Sequence, residues 1–563
     1  MSASAWISQI KLKSGTELNL GKDSIVVFVG PNNSGKSKIL DEVEQQVRRQ
    51  LSTPSLIVES ISMNAKGTIE EFKQSISYKL FNGQYLMLSP RSSINVSQVE
   101  RSWAKLLAGN IEENFYIGDF IVNSLSTINR LELVLPAGNI DFLSEPRKHP
   151  IHTIKEETDK ELSFSHYFKI AFGEDVIVNH AAGKSIPLHI GKRPKISAEN
   201  DRVSTSYQKE LRALPYLHEQ GDGMKSFAGV FLSLISDEFH INILDEPEAF
   251  LHPPQASLLA KMVAQNIGKE KQLFTSTHSE HFLKGLLDGA ADRLTIVRIE
   301  RDGPINNIHI LGNDEIKEIW NDSFMRHSNV LDGLFHKKVI LVESDSDARF
   351  YSTITDEIVD NESMASPDLL FVPTGGKHRF PFVIKALNKL SVPLKVIGDF
   401  DLYHDENPIK QMVEVLGGDW SLIESDFKKI KKAIDQKRPE LETADLKQEI
   451  EKVFDSFNDR IIPETKIKEI QSALKRSSPW VQAKSSGKAY LPAGDITSAF
   501  QRVQEQLSIL NIHVLEIGEI EAFDKTIGGH GPRWTAKVLE RDLLNAPELD
   551  LARRFIKEKI LAG

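Results

Sequence analysis

Gly30-Pro-Asn-Asn33-Ser-Gly35-Lys36-Ser37 has the types and spacing of a phosphate loop, G-x-x-x-x-G-K-[ST]. In such a loop the backbone N–H groups and a helix N-terminus face nucleotide phosphates. Lys36 reaches the β/γ oxygens and Ser37 can hold magnesium. A second group, Ile241-Asn-Ile-Leu-Asp245-Glu246-Pro-Glu248, reads as an apolar strand ending in adjacent acids. There Asp245 would hold the magnesium through its water shell and Glu246 would polarise the attacking water. Downstream, Thr275-Ser-Thr-His278 ends another strand and places an imidazole to sense a γ-phosphate. These residues imply ATP and Mg²⁺ as cofactors.

A separate set of acids lies in the second half. Glu343-Ser-Asp-Ser-Asp347 follows one apolar run and Asp399-Phe-Asp401 another. Acids at the C-terminal edge of neighbouring parallel strands converge on one crevice. Glu343 and Asp347 are spaced by one helical turn, so both can face it. Oxygen-only ligands suit Mg²⁺ or Mn²⁺ better than zinc.

The elements that must position these groups follow from periodicity. Ile25 to Gly30 is β-rich and a helical pattern starts at Lys36, giving strand, loop and helix in the order the phosphate loop needs. Leu214 to Ile299 alternates helix and strand. A boundary is expected within 319–336, so that 1–325 forms one α/β domain and 336–545 a second. In the second, strands at 337–343, 369–373, 394–401 and 512–517 alternate with helices. The stretch 51–211 carries no nameable motif and reads as an insertion in the first domain, available for dimerisation. The charged stretch 419–506 reads as a helical insertion in the second domain, and 546–563 as a terminal helix.

Composition narrows the class. With 69 Lys+Arg against 79 Asp+Glu the net charge is −10, and there is no cysteine. Disulfides, Cys-ligated zinc, iron–sulfur clusters and thiol nucleophiles are thereby excluded. No apolar run approaches the roughly 18 residues of a membrane span, so a soluble cytoplasmic protein is expected, with no membrane partner. Inside the acidic total lies a local basic set, Lys428, Lys429, Lys431, Lys432, Lys475, Arg476, Lys484 and Lys488 around Trp480. It could neutralise phosphates and stack a base, or simply be a solvated helix face.

Gln220-Gly-Asp-Gly-Met-Lys-Ser226, which opens a helix ahead of the acidic strand, resembles the degenerate signature loop of ABC-type ATPases in the subgroup of RecF, SMC and Rad50 proteins. That likeness implies a head-to-head homodimer, or a higher oligomer, with ATP between the heads. The strand glutamate, the Gly375-Gly376-Lys377 loop and the Asp-x-Asp resemble the Toprim fold. An ABC-type head followed by Toprim resembles the OLD (overcoming lysogenization defect) family of ATP-dependent endonucleases, which includes the nuclease subunit of Gabija phage defence and some retron effectors. The resemblance implies an α/β chain with a P-loop ATPase head and a two-metal Toprim nuclease. In that nuclease Glu343, Asp399 and Lys537 are catalytic, and Glu343, Asp347, Asp399, Asp401, Glu519 and Glu521 hold metal. Glu519 and Glu521 come from Glu516-Ile-Gly-Glu519-Ile-Glu521, similar to the family's late Gly-acid-x-acid segment, although Ile517 stands where some members have an oxygen side chain. The family's downstream basic residue falls on Lys537, with Arg533 next in line. DNA is the expected substrate ahead of RNA, with a defence-system protein or nucleoprotein as a further partner. Two rival readings stay open: an RNA-directed toxin nuclease acting on a target such as tRNA, and a non-catalytic nucleotide-gated scaffold. Tyr351 and Tyr403 lie near the acids, but the hydrolysis requires no covalent tyrosine, and a topoisomerase would need a strand-passage gate domain that the sequence does not offer.

Overall fold

The computed structural model describes residues 3–562 apart from 50–53, 75–77, 82–83, 89–92, 110–116, 143–144, 146, 198–200, 236–238, 304, 323–325, 327–328, 438–442, 459 and 476–478. Arg476 therefore lies outside the described residues. The chain divides into two compact units, Met1–Phe335 and His336–Gly563.

The first unit is built on six strands. In chain order the elements used here are β1 (Ile25–Val29), α1 (Lys36–Arg48), β2 (Val122–Leu125), α2 (Asp222–Ile235), β3 (Ile241–Leu244), β4 (Gln272–Ser276), β5 (Leu294–Asp302) and β6 (Ile305–Leu311). The strand order is β6-β5-β1-β4-β3-β2. β1 to β5 are mutually parallel and β6 closes one edge antiparallel. Every residue of β1, β3 and β4 is buried, as expected for parallel strands covered on both faces. Because β1, β4 and β3 are adjacent and parallel, the phosphate loop, His278 and the acidic pair emerge on one edge of the sheet.

The stretch 51–211 is not separable from this framework. Val58–Lys66 pairs antiparallel with Ser4–Leu12, and β2 joins the central sheet beside β3. The reason it is hard to see in the sequence is plain: β2 reads Val-Asn-Ser-Leu, an edge strand without the apolar run that marks a central one.

Within the same stretch Glu161, on the helix Thr158–Phe172, is wholly buried. Its carboxylate accepts hydrogen bonds from Arg193 at 2.7 Å and Arg202 at 2.9 Å, and lies 3.0 Å from His180 Nε2. Burial pushes its pKa up, but His180 and the two arginines outweigh it and hold the carboxyl at about 2, against an ordinary 4.5. The contribution to stability is therefore complete above pH 4.5 and lost as pH falls towards 2, amounting to about 3 kcal/mol. Urea titrations between pH 7 and pH 2.5 should show wild type losing about that much more stability than Glu161→Gln. Equal losses in the two proteins would remove Glu161 from the acid transition.

The second unit carries β7 (Lys338–Val342), α3 (Asp345–Asn361), β8 (Leu369–Pro373), α4 (Phe380–Lys389), β9 (Leu394–Gly398), α5 (Pro479–Ser486), β10 (Ile512–Val514) and α6 (Pro532–Val538). Its sheet is parallel throughout, in the order β8-β7-β9-β10. Between β9 and β10 the chain is helical, with helices at Glu406–Val415, Glu424–Asp435, Thr443–Asp455, Glu464–Lys475, α5 and Asp495–Ile509. The chain terminus is not an appendage. Leu549, Ala552, Ile556 and Ile560 share a core with Ile340 and Val342 of β7. The buried Lys395 of β9 donates to the carbonyls of Lys559 (2.8 Å) and Ala562 (2.6 Å). A cation at the C-terminal carbonyls of a helix is the favourable polarity.

Candidate functional site

The phosphate loop is shaped by two glycines that admit no side chain. Gly30 has φ 143 and a Cβ there would stand 2.1 Å from the Ile299 carbonyl oxygen of β5. Gly35 has φ 105 and is the N-cap of α1, with no side chain capping the helix. Its free backbone N–H groups point into the loop, as anion binding requires. Asn33, exposed at the crest, also has positive φ (62). Lys36 folds back over the loop and donates to the carbonyls of Gly30 (2.9 Å) and Pro31 (2.8 Å). Burial pulls its pKa down to about 8, against the opposing charges of Glu246, Asp245 and Glu248.

The acidic strand meets this loop directly. Asp245 Oδ1 accepts from Ser37 Oγ at 3.0 Å and from Ser276 Oγ, joining the ends of β3, α1 and β4. Glu246 has φ 44, and its Oε1 lies 2.9 Å from His278 Nε2. The partnership with His278 lowers the Glu246 pKa in spite of burial. Glu248 is buried and accepts from Thr277 Oγ1 (2.6 Å) and the His278 N–H (2.9 Å), so it fixes the backbone that carries the imidazole. Lys36, Ser37, Asp245, Glu246 and His278 are thus linked at one edge of the sheet, with Gly30 and Gly35 shaping the loop and Asn33 at its crest. The arrangement can seat a nucleotide triphosphate and present a carboxylate–imidazole pair to it. In the Gln220–Ser226 loop, Ser226 is turned inward and its hydroxyl donates to the Ala249 carbonyl (3.0 Å).

Sequence reasoning missed Arg130. It is fully buried, with Nη1 2.7 Å from the Glu246 carbonyl oxygen. A lone arginine in a stretch without periodicity carries no signal of its place beneath the acids.

The second unit gathers another set at the C-terminal edge of its parallel strands. Glu343 follows β7 and Asp399 follows β9, with the Asp399 N–H donating to Glu343 Oε1 at 3.3 Å. Asp401 is held by Lys377, whose Nζ lies 2.8 Å from both its carbonyl and its Oδ2. Ligand atoms of Glu343, Asp399 and Asp401 lie within 4.8 Å of one another. Burial, then the charge of Asp401, pushes Glu343 up to about 7. Burial also raises Asp399, although Lys484 opposes it. Asp347 has a structural task, since it closes a capping box with Ser344 at the start of α3 (2.8 Å). It is buried beside the set, and burial raises its pKa.

A divalent cation fits the Glu343, Asp399 and Asp401 set. Three carboxylates crowd together, all donors are oxygen, and Asp401 Oδ1 is buried without a hydrogen-bond partner. Such an oxygen is costly unless a cation or donor meets it, and the donor chemistry suits Mg²⁺ or Mn²⁺. Glu519 and Glu521 form a second group with His530, again with ligand atoms within 4.8 Å. Glu519 is buried and its pKa is raised by burial and by Glu521, while Glu521 accepts the Gly531 N–H at 2.7 Å. The imidazole was not foreseen, so this group is not oxygen-only. Its only trace in the sequence is the glycine-rich Gly528-Gly-His530-Gly531 loop.

Lys537 lies exposed on α6, where Trp534, Thr535 and Val538 form the buried face. Arg533 is exposed on the same helix. Besides Lys377, a cation that the sequence did not single out for this place reaches the cluster: Lys484 of α5, 2.7 Å from Asp399 Oδ2. Burial disfavours its charge, yet Asp399, Asp401 and Glu343 together raise its pKa. Its placement is tight: a Cβ on Gly518 would stand 2.1 Å from the Lys484 carbonyl oxygen, and one on Gly487 2.1 Å from that of Glu516. Trp480 is no stacking platform, being 6% exposed with its indole N–H on Asp435 (2.8 Å). Lys428, Lys429, Lys431 and Lys488 face Glu424, Asp426, Asp435 and Glu516, which is the solvated-face arrangement. Tyr351 and Tyr403 are wholly buried, so neither hydroxyl is open to a nucleic acid.

Comparisons with known proteins match parts of both units. Residues 140–284 match a family described as "AAA domain, putative AbiEii toxin, Type IV TA system". Residues 334–401 match the Toprim domain of overcoming lysogenization defect protein-like sequences. The second match contains Glu343, Asp347, Asp399 and Asp401, whereas the phosphate loop and the late acids lie outside both. No curated protein matches the chain. Among solved structures, the SMC head domain from Thermotoga maritima is 13% identical, covering 55% of this chain and 100% of its own, with TM-score 0.29. The Smc head with an extended coiled coil bound to the C-terminal domain of ScpA, derived from Pyrococcus furiosus, is 11% identical over 56% and 98%, with TM-score 0.32. An ATP-binding cassette of an ABC transporter in its ADP conformation is 12% identical over 57% and 96%, with TM-score 0.25. No helix among the described residues is long and apolar enough to cross a membrane. With a match to an ATPase domain at 140–284 and one to an OLD-like Toprim domain at 334–401, the chain carries an ATPase-type domain followed by a Toprim domain.

Proposed function

We propose that the chain is a nucleotide-controlled, divalent-metal-dependent endonuclease that hydrolyses phosphodiester bonds in nucleic acid, with DNA ahead of RNA, as part of phage defence. The observation that carries this reading is the convergence of Glu343, Asp399 and the unpartnered Asp401 oxygen at the strand ends. Glu343, Asp399 and Asp401 would hold one Mg²⁺ or Mn²⁺, and Glu519 and Glu521 a second, with Asp347 behind them. Bound there, the metals would supply an activated water and charge stabilisation for in-line displacement. Lys484 and Lys377 offset part of the acids' charge and keep Asp399 and Asp401 in place. In the other unit Lys36 and the loop N–H groups hold phosphates, Ser37 and Asp245 face the magnesium position, and Glu246 Oε takes the proton from the attacking water, with His278 Nε2 beside it.

The role in defence, a homodimer and a defence-system partner rest on the family likeness alone. The toxin named in the description of the matched ATPase family favours one second reading, an RNA-directed nuclease.

One experiment separates these readings. Plasmid, linear DNA and tRNA are incubated with the protein in Mg²⁺ or Mn²⁺, each without nucleotide, with ADP and with a non-hydrolysable ATP analogue. Cleavage of DNA that changes at least about threefold with nucleotide state is expected, since a ligand shifts an equilibrium only through differential affinity. Cleavage confined to tRNA would select the second reading. Cleavage at one rate in all nucleotide states would mean that the domains are merely tethered, and no cleavage of any substrate would favour a scaffold.

A further inference from the structure

The acidic loop after β3 is strained: the Glu246 N–H donates to Ser276 Oγ at 3.0 Å and the Glu246 carbonyl accepts from the Ala249 N–H at 3.0 Å, while α2 packs against the loop from another side. Glu246 (φ 44) and Phe250 (φ 72) both occupy the left-handed region, which a residue with a side chain keeps only when its surroundings hold it there. α2 touches this loop near its start: a Cβ on Gly223 would stand 2.9 Å from the Phe250 carbonyl oxygen, and Ser226 Oγ donates to the Ala249 carbonyl at 3.0 Å. One turn further, Gly229 presses on the Arg130 backbone, where a Cβ would stand 2.0 Å from the carbonyl oxygen. Arg130 in turn donates Nη1 to the carbonyls of Glu246 (2.7 Å) and Asp245 (3.4 Å). Its Nε and Nη2 are buried without a hydrogen-bond partner. A guanidinium kept in the interior with two donors unused is a poor choice for stability alone. Its position is explained by the backbone it grips and by the charges of Glu248, Asp245 and Glu246 around it, which support its protonation against burial.

We propose that Arg130 is a positioning residue for nucleotide hydrolysis: wedged by Gly229 of α2, it holds the Glu246 backbone in the left-handed conformation that aims the carboxylate at His278 and the phosphate loop. Movement of α2, the helix opened by the Gln220–Ser226 loop, is then transmitted to Glu246 without any contact of Arg130 with the nucleotide. This rests on Glu246 being the acid that activates water. Loss of Arg130 frees the Glu246 peptide to relax to negative φ, which withdraws the carboxylate and leaves the phosphate loop as it was.

The test measures kcat, KM for ATP, the Kd of a fluorescent ATP analogue and Tm for Arg130→Met, Arg130→Lys, Gly229→Ala and Glu246→Gln. A misplaced catalytic group costs about a hundredfold, so Arg130→Met should lose about that in kcat while Kd stays within about threefold of wild type. Arg130→Lys should recover part of the loss, and Gly229→Ala should reproduce it. If Arg130→Met does not fold, the lysine variant decides alone, and it supports the proposal when kcat falls at unchanged Kd. Wild-type kcat in the Arg130 variants beside an inactive Glu246→Gln overturns the proposal and leaves the reading of Glu246 intact. A rise in Kd together with a fall in kcat also overturns it, as a merely structural role would produce that. Wild-type turnover in Glu246→Gln would remove the reading and the proposal with it.

Discussion

Asp399→Asn and Glu343→Gln proteins will hydrolyse ATP as wild type does and lose at least about a hundredfold in metal-dependent cleavage. The size follows from the site: outer partners of a metal ligand alone are worth 10–100-fold in affinity or activity, and these two side chains belong to the inner set. Amide replacements keep volume and keep an acceptor for Lys484 Nζ, which lies 2.7 Å from Asp399, so the unit should stay folded. Binding of Mn²⁺, followed by the loss of its free electron-resonance signal, should weaken in both. Cleavage within about threefold of wild type in either variant would put the nuclease elsewhere in the chain or in a contaminant.

In the ATPase unit the two largest effects should differ in kind. Lys36 is the buried cation of the phosphate loop and donates into it. Bonds to charged groups are worth about 1.5–3 kcal/mol, so Lys36→Ala should weaken ATP binding about 10- to 100-fold. Glu246→Gln keeps the shape of the pocket and loses only the base, which costs about 10²–10⁴-fold in turnover at nearly unchanged affinity. Equilibrium binding and phosphate release measured on the same preparations separate the two. Wild-type hydrolysis in Glu246→Gln would move the catalytic acid away from this position.

How much of this was legible depended on whether a residue's task is set locally. The phosphate loop could be read because Gly30 and Gly35 are demanded by backbone conformation and Lys36 by chemistry, all within eight positions. The acidic strand could be read because β3 carries three apolar residues in four and its acids begin where the strand stops. Arg130, Lys484 and His530 could not be read in these roles, because each acquires its partner only through tertiary structure, across 116 positions for Arg130 and Glu246. Lys484 stood out merely as one lysine among several. Trp480 misled for a related reason: an aromatic between lysines looks alike whether it stacks on a base or packs on His404, as it does here with ring centroids 4.9 Å apart. The exposed place of Lys537 was legible, since Trp534 and Val538 mark the inward face of α6 by their spacing and leave position 537 outside. The stretch 51–211 stayed opaque because its contribution to the central sheet is an edge strand with a polar centre.

The contact between α5 and the late loop changes what the helical insertion is. Gly487 lies against the Glu516 backbone and Gly518 against that of Lys484, with no room at either for a methyl group. Anyone trimming this protein to a minimal nuclease by excising the 419–506 segment would therefore take away the ammonium facing Asp399 along with the helices. The strand-end carboxylates would remain, more strongly charged and harder to fill with nucleic acid phosphate. A segment that reads as a dispensable elaboration thus supplies charge to the strand-end carboxylates, and a change in its length that parts either glycine from its neighbour would withdraw that charge.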